Sequence, residues 1–210
     1  MNEITINFKF GIDLEIARIK RTLNDKKWLD QNSYRFNLPA AIKNFENITE
    51  ELIRQSIEVE YNKKDYETAK RAILKSWFGN CQNIKKINGK IEGSHKLNEL
   101  DIILTKYGTQ GSYQMPNKMI VNVFNIPPEF LIKTVIHESF HLMLEPLIKK
   151  YEVEHWVKER IIDLMMDWEY KSRFKMQVVP TWALAIDKDF KLHYPNMIPI
   201  MESARKIYSR

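Results

Sequence analysis

The pentapeptide His137-Glu138-Ser139-Phe140-His141 constrains the fold of this chain more than any other feature. Residues four apart lie one above the other on an α-helix, so a helix here would let both imidazoles reach one metal ion. Glu138 is turned about 100° around the helix axis from His137, which lets its carboxylate contact a water on the metal instead of becoming a further ligand. The pattern is typical of zinc hydrolysis.

Chance is a poor explanation for this motif. With five His and 18 Glu in 210 residues, random placement yields on the order of 0.01 matches. Two core histidines hydrogen-bonded to their neighbours are the alternative, but packing them with a carboxylate and no metal would be costly to desolvate. Apolar residues at helical spacing around the motif predict a largely buried helix: Ile132, Val135, Ile136, Phe140, Met143 and Leu144.

A zinc site also needs a third protein ligand, and a catalytic zinc site leaves its fourth position to water. The segment from Glu154 to Lys171 has helical apolar spacing without Gly or Pro, and it carries Glu159 and Asp163 one turn apart. We expect the motif helix to end near Glu145-Pro146, after which a short connection turns back and the second helix crosses the first. Glu159 is then the candidate third ligand.

Other assignments for this third position stay open. His155 lies one turn before Glu159 on the same face, and Asp163 or Glu169 could ligate the metal if the connection were shaped differently. Glu159 itself could instead form a surface ion pair, for instance with Lys158 or Arg160, which is the usual fate of a helical Glu.

The two segments together resemble the gluzincin group of zinc metallopeptidases, in which H-E-x-x-H on one helix is completed by a Glu on the next, often within E-x-x-x-D. The second element is matched by Glu159-Arg160-Ile161-Ile162-Asp163, and the likeness runs from Lys106 to Arg173. The resemblance implies a general base and a carboxylate that hydrogen-bonds a zinc-bound His, in addition to the ligands. Carried over by position, these are the ligands His137, His141 and Glu159, the base Glu138 and the carboxylate of Asp163.

Related families fit less well. The metzincin motif requires Gly and a third His further along, but Leu144 and Leu147 stand at those positions. Peptide deformylase takes a Cys ligand from a Gly-Cys-Leu context, which the surroundings of Cys81 do not match.

The developing oxyanion of an amide hydrolysis needs a hydrogen-bond donor besides zinc, usually a Tyr, His or Arg. Tyr170 follows Glu159 by about three turns on the same face, and His193 with Tyr194 lies in a later segment that could fold over the cleft. We take Tyr170 and His193 as the catalytic candidates, with a core aromatic and surface residues as the alternatives.

Two apolar runs ahead of the motif predict strands, at Leu100 to Leu104 and at Met119 to Phe124. Between them, Gly108 to Tyr113 carries turn chemistry and could supply an edge strand that pairs with extended substrate. We therefore expect Gly108, Gly111 and Tyr113 to bind substrate, the alternative being a plain loop.

The upstream half predicts mostly helix. Ile12 to Trp28, Thr49 to Tyr61 and Asp65 to Phe78 have helical spacing, Ile4 to Phe10 alternates as a strand, and Asn83 to Asn98 is expected to be a loop. We expect an α+β protein, with a mostly helical region at 1–95 followed by a zincin-like metallopeptidase domain at 96–210 that has a small mixed or antiparallel sheet.

Charge and cysteine content are less informative. The net charge of +6 comes from Lys and Arg spread along the chain, so nucleic acid is not favoured as a partner. No run approaches the roughly 20 apolar residues of a membrane span, no secretory signal is recognisable, and a single Cys forms no internal disulfide. We expect a soluble cytoplasmic protein that binds no membrane.

Three functions are compatible with these features: a zinc-dependent peptidase acting on peptides or proteins, a zinc hydrolase of a non-peptide amide, and a basic nucleic-acid-binding or regulatory protein with a structural H-E-x-x-H helix. Self-inhibition by the last helix, about Asn196 to Tyr208, or by the N-terminal helices is a further hypothesis.

Overall fold

A computed structural model describes residues 3–42, 48–171 and 173–207. These residues form a mostly helical α+β structure, which confirms the expected α+β class and the small mixed sheet. The strands are β1 (Thr5–Lys9), β2 (Glu99–Thr105), β3 (Gly111–Gln114) and β4 (Lys118–Asn122). The helices are α1 (Ile12–Asn24), α2 (Lys26–Gln31), α3 (Glu50–Glu60), α4 (Lys63–Lys90), α5 (Leu131–Lys150), α6 (His155–Tyr170), α7 (Asp187–His193) and α8 (Met197–Ile207).

The sheet has the strand order β1-β2-β4-β3. β1 pairs with β2 and β2 with β4 in parallel, whereas β3 runs antiparallel to β4. In β2 every second side chain is fully buried, at Leu100, Ile102 and Leu104, as the two-residue period of a strand requires when one face is covered. In the strand order β3 has a neighbour on one side only, so it is an edge strand. It overlaps the end of the segment Gly108 to Tyr113, which the sequence predicts as a possible edge strand.

Helices α4 and α5 pack against the sheet and α6 packs against α5, and all three helices share one hydrophobic core with the sheet. This core includes Ile4 from β1 and Ile73 from α4 as well as Val135 from α5 and Ile162 from α6. Residues on both sides of position 95 thus contribute to the same core, while the division of the chain near that position stays a prediction.

Helix α4 is longer than the sequence predicts, because it continues through Asn83 to Lys90, where we expected a loop. Ile84 and Ile87 are fully buried in that stretch, so the apolar face of the helix extends past Phe78. The Lys and Asn residues that suggested a loop lie between these apolar positions. Only the part from 91 onward is irregular.

Helix α5 also continues beyond its predicted end near Glu145-Pro146 and reaches Lys150. Pro146 removes one backbone donor, but Leu147 and Ile148 are buried, and their packing holds the last turn. The final helix covers Met197–Ile207 of the predicted Asn196 to Tyr208, and Tyr208 lies outside the described residues. No helix in the described ranges has the length and apolar character needed to cross a membrane.

Candidate metal centre

Three side chains from α5 and α6 meet at one point. Nε2 of His137 lies 3.0 Å from Nε2 of His141 and 3.2 Å from Oε2 of Glu159. The third side of this triangle, from Nε2 of His141 to Oε2 of Glu159, measures 3.3 Å. The side chains are shielded from solvent, with 12 %, 2 % and 8 % exposed for His137, His141 and Glu159.

The turn between the two helices brings Glu159 back to the histidines. α5 ends at Lys150 with Tyr151 as its C-cap, and Glu152 then takes a positive φ of 53° where the chain reverses. Glu154 then caps α6, because its side chain accepts hydrogen bonds from the backbone N–H groups of Trp156 and Val157. Glu159 lies one turn into α6, where the helix faces α5.

The three donor atoms fit a metal ion. A tetrahedral site with bonds of about 2.0–2.1 Å to nitrogen and oxygen has ligand atoms about 3.3 Å apart, which is close to the sides of this triangle. Two imidazoles and a carboxylate are also a donor set that divalent transition metals favour. His137, His141 and Glu159 thus form a group that could hold a metal ion.

Proton equilibria in the group follow from burial and from the close contacts. Burial lowers the pKa of His141 to about 4, which keeps this imidazole in the neutral form that ligates metals. Burial also opposes the charges of His137 and Glu159. The contact between the two nevertheless raises the pKa of His137, and contact with both imidazoles holds the pKa of Glu159 well below its usual range.

Glu138 lies beside the group, between α5 and the edge strand β3. A Cβ atom placed on Gly111 would overlap Oε1 of Glu138 and would come within 2.7 Å of Cγ2 of Thr134. The carboxylate therefore touches the backbone of β3 directly. Burial raises the pKa of Glu138 to about 7, so this group can accept and return a proton near neutral pH.

Asp163 lies behind His137 but does not hydrogen-bond it. Its Oδ1 is 3.8 Å from Nδ1 of His137, which is longer than a hydrogen bond. Its Oδ2 instead accepts a hydrogen bond of 2.5 Å from the backbone N–H of Gln177. The Asp163 carboxylate thus lies within ion-pair distance of His137 and also anchors a later segment of the chain, while its role in orienting a zinc-bound His stays a prediction.

Tyr113 packs on the other side of the group. Its ring stacks on that of His141 with centroids 4.7 Å apart, and its hydroxyl donates to Glu145. Nζ of Lys158 lies 5.5 Å from the centre of the Tyr113 ring and 3.5 Å from Oε1 of Glu159. Glu159 thus does form the ion pair with Lys158 that the sequence offered as an alternative to metal binding. The pair uses Oε1 of Glu159, whereas Oε2 faces the two histidines.

The group opens into a cleft of about 480 Å³. Its walls include β3 with the residues before it, one face of α1, and His155 of α6. His155, a competitor for the third ligand, is turned away from the histidine pair, since its Nε2 lies 2.5 Å from the hydroxyl of Tyr34. The imidazole stands in the cleft wall among aromatic rings, those of Trp28, Tyr34 and Trp156.

Several predicted site residues do not line this cleft. Tyr170 packs at the end of α6 against Phe140 and Phe174, and His193 ends α7. Gly108 is not free to pair with substrate, because its N–H and C=O both bond to the backbone of Asn37. Gly111 and Tyr113 do line the cleft. The position of Tyr170 and His193 gives no support to their catalytic assignment.

Arg18, Tyr34 and Gln177 are among the cleft-lining residues that the sequence did not single out. Arg18 is buried on α1 and bonds the connection before β3. No motif marks these residues. Arg18 and Tyr34 lie far before the helix pair, and Gln177 lies in the irregular segment that follows α6, so only the tertiary structure brings them to the site.

In comparisons with known proteins, no protein family, no curated protein and no solved structure matches the chain.

Proposed function

We propose that this protein is a zinc-dependent peptidase of the gluzincin type, with a zincin-like catalytic domain. The observation that carries this proposal is the triangle of His137, His141 and Glu159, with donor atoms 3.0–3.3 Å apart and Glu138 beside it. The resemblance to gluzincins predicts this arrangement from two short motifs, and the helices α5 and α6 bring the named side chains together.

The chain's own residues suit amide hydrolysis. Zinc bound by the three ligands would supply a Lewis acid and lower the pKa of a water to about 7. Glu138 is placed to take the proton from an attacking water and to return it to the leaving amine. β3 is an edge strand next to Glu138, so an extended peptide laid along it would present its backbone to this carboxylate.

Metal analysis and a cleavage assay test the proposal. We expect purified protein to bind one zinc per chain and to cleave members of a peptide library, detected by mass spectrometry. Glu138→Gln should keep the zinc but lose about 10²–10⁴-fold in cleavage rate, whereas Glu159→Ala should lose the zinc. Glu129→Gln is the matched control, since Glu129 is an exposed carboxylate two residues before α5, and it should change neither property.

Other outcomes would overturn the proposal. Zinc well below one per chain that resists reconstitution would favour a structural role for the helix pair. Zinc-dependent cleavage of small acylated amines but of no peptide would favour a hydrolase of non-peptide amides. Peptide cleavage that persists in Glu138→Gln would exclude the assigned base.

A further inference from the structure

Gln177 brings a side-chain amide to the two metal-facing atoms of the candidate centre. Its Nε2 lies 3.1 Å from Oε2 of Glu159 and 3.4 Å from Nε2 of His137. These are the atoms that form one side of the donor triangle. The amide is therefore a fourth polar group at this point, contributed by neither helix.

The chemistry of the two partners fixes which end of the amide faces them. A carboxylate oxygen accepts hydrogen bonds only, and an imidazole nitrogen that ligates a metal carries a lone pair and no hydrogen. In a metal site the lone pair of the His137 nitrogen is directed at the metal, so Glu159 is the hydrogen-bond acceptor and the amide presents its nitrogen to that carboxylate. That nitrogen has two N–H donors, so one remains for another group when the other bonds Glu159.

The backbone that carries Gln177 is held from both helices. We call the residues 175–177 the strap. Nζ of Lys133 on α5 donates to the carbonyl of Lys175 at 2.6 Å, Arg160 on α6 contacts Sδ of Met176 at 3.2 Å, and Asp163 accepts from the N–H of Gln177. Three successive strap residues are thus fixed, and the amide is positioned before any ligand arrives.

We propose that Gln177 is a catalytic residue, and this inference rests on the proposed peptidase function. Its Nε2–H donates to the carbonyl oxygen of the scissile amide as that oxygen takes up negative charge. During attack, the water oxygen bonds the carbonyl carbon, the π electron pair moves to the carbonyl oxygen, and the water's proton passes to Glu138. The carbonyl then re-forms, the C–N bond breaks, and the proton moves to the leaving nitrogen.

A preorganised hydrogen-bond donor lowers the reaction barrier most when it faces the atom on which negative charge develops in the transition state. Tyr170 and His193, the donors suggested by sequence, lie outside the cleft, whereas Gln177 lines it. The competing role for Gln177 is that of a metal ligand through its amide oxygen, which would block the fourth position and keep the protein latent. The two roles make opposite predictions for activity.

The test compares Gln177→Ala and Gln177→Leu with wild type and with Gln82→Ala. Gln82 is an exposed glutamine on α4 and serves as the matched control. Each protein is assayed for kcat and KM on a cleaved peptide, for zinc affinity by chelator competition, and for the visible absorption of its Co²⁺ form. Binding of a phosphinic dipeptide, which mimics the tetrahedral carbon, gives a fourth measurement, and circular dichroism checks folding.

We expect both Gln177 variants to lose about 10²–10³-fold in kcat with KM nearly unchanged. Phosphinic dipeptide binding should weaken about tenfold or more, while zinc affinity and the Co²⁺ spectrum stay as in wild type. Lower zinc affinity and an altered Co²⁺ spectrum with equal or higher activity would overturn the proposal in favour of a blocking ligand. Unchanged values throughout would overturn it in favour of a purely structural residue.

The experiment also separates this inference from the function on which it rests. If wild type binds zinc but cleaves no peptide, the peptidase proposal fails, and binding of the phosphinic dipeptide still decides the role of Gln177. Weaker binding in both variants would then support a donor to a tetrahedral oxygen at this centre, and equal binding would exclude it.

Discussion

The backbone of Gly111 contacts the carboxylate of Glu138, and this contact determines the position of the proposed general base. A Cβ on Gly111 would meet both the end of Glu138 and the methyl group of Thr134. Any other residue at position 111 would therefore displace the carboxylate or push β3 away from α5. The glycine acts here through the missing side chain, which allows close approach of the strand to the helix.

Gly111→Ala tests this contact. Because a shift of about 1 Å in a catalytic group can cost about a hundredfold in rate, we expect the peptide cleavage rate to fall by about that factor while zinc content stays at one per chain. Gly79→Ala is the control: it lies exposed on α4 with open space around it and should stabilise that helix by about 0.5–1 kcal/mol. Wild-type activity in Gly111→Ala would contradict the close contact.

Among the helices and strands, α1 is joined to the connection between β2 and β3 by Arg18, and also by Glu15, whose carboxylate accepts a hydrogen bond from the backbone N–H of Lys106. The buried guanidinium of Arg18 donates to Oγ1 of Thr109 at 2.8 Å, to Oγ of Ser112 at 3.3 Å and to the carbonyl of Tyr107 at 3.5 Å. Gly108 has a φ of +80°, and a Cβ there would lie 2.8 Å from Cζ of Arg18. The connection is thus shaped around this arginine, and β3 begins directly after it.

We expect Arg18→Leu to lower the free energy of unfolding by about 2–3 kcal/mol, because it leaves buried hydrogen-bonding groups without a partner. Arg21→Leu, one turn further on α1, removes an exposed pair with Asp25 at 3.5 Å and should change stability by less than about 0.5 kcal/mol. Urea denaturation followed by circular dichroism measures both. Equal losses for the two variants would argue against a special role for Arg18.

The sequence predicted the helices and strands that have a clear apolar period, and it missed features that depend on the remainder of the fold. Periodicity located β2, β4, α3 and α6 to within about two residues. It failed at Pro146, where burial of Leu147 and Ile148 outweighs a lost backbone bond. It also gave no sign of the strap, because an irregular segment has no period and its anchors Lys133 and Arg160 belong to helices whose packing no local pattern encodes.

For the candidate site, the same reasoning identified the residues whose spacing carries geometry. His137, His141 and Glu159 meet because helical turns bring residues four apart into line and because α5 and α6 are neighbours. Gln177 and Tyr34 could not be found in this way. Their contribution comes from the path of the chain over the helices, which no local pattern encodes.

At the scale of the whole molecule, the walls of the cleft carry an excess of positive charge, as the chain as a whole does. Its walls carry five cationic residues, Arg18, Arg21, Arg35, Lys133 and Lys158, and three acidic ones, Asp25, Glu138 and Glu159. A divalent ion would balance the charges of Glu138 and Glu159. The remaining walls then hold five cations and one anion, in a protein whose net charge is +6. Such a cleft attracts acidic ligands.

We therefore expect a peptide with Asp or Glu near the scissile bond to be cleaved with a lower KM than its Asn or Gln counterpart. The difference should shrink between about 50 and 300 mM salt, because screening shortens the reach of these charges. Arg35→Glu should reduce the preference, whereas Lys27→Glu, which reverses an exposed charge on α2 outside the cleft walls, should not. Equal KM values for the two peptides at low salt would contradict the prediction.

The shortness of β3 has a consequence for any polypeptide that docks on it. With four residues, Gly111–Gln114, and backbone groups that point outward only at alternate positions of a strand, the rim can grip no more than a couple of peptide units. So short a strand favours binding of exposed tails and loosely folded linkers over compact domains. Selection among such polypeptides then depends on the side chains on either side of β3.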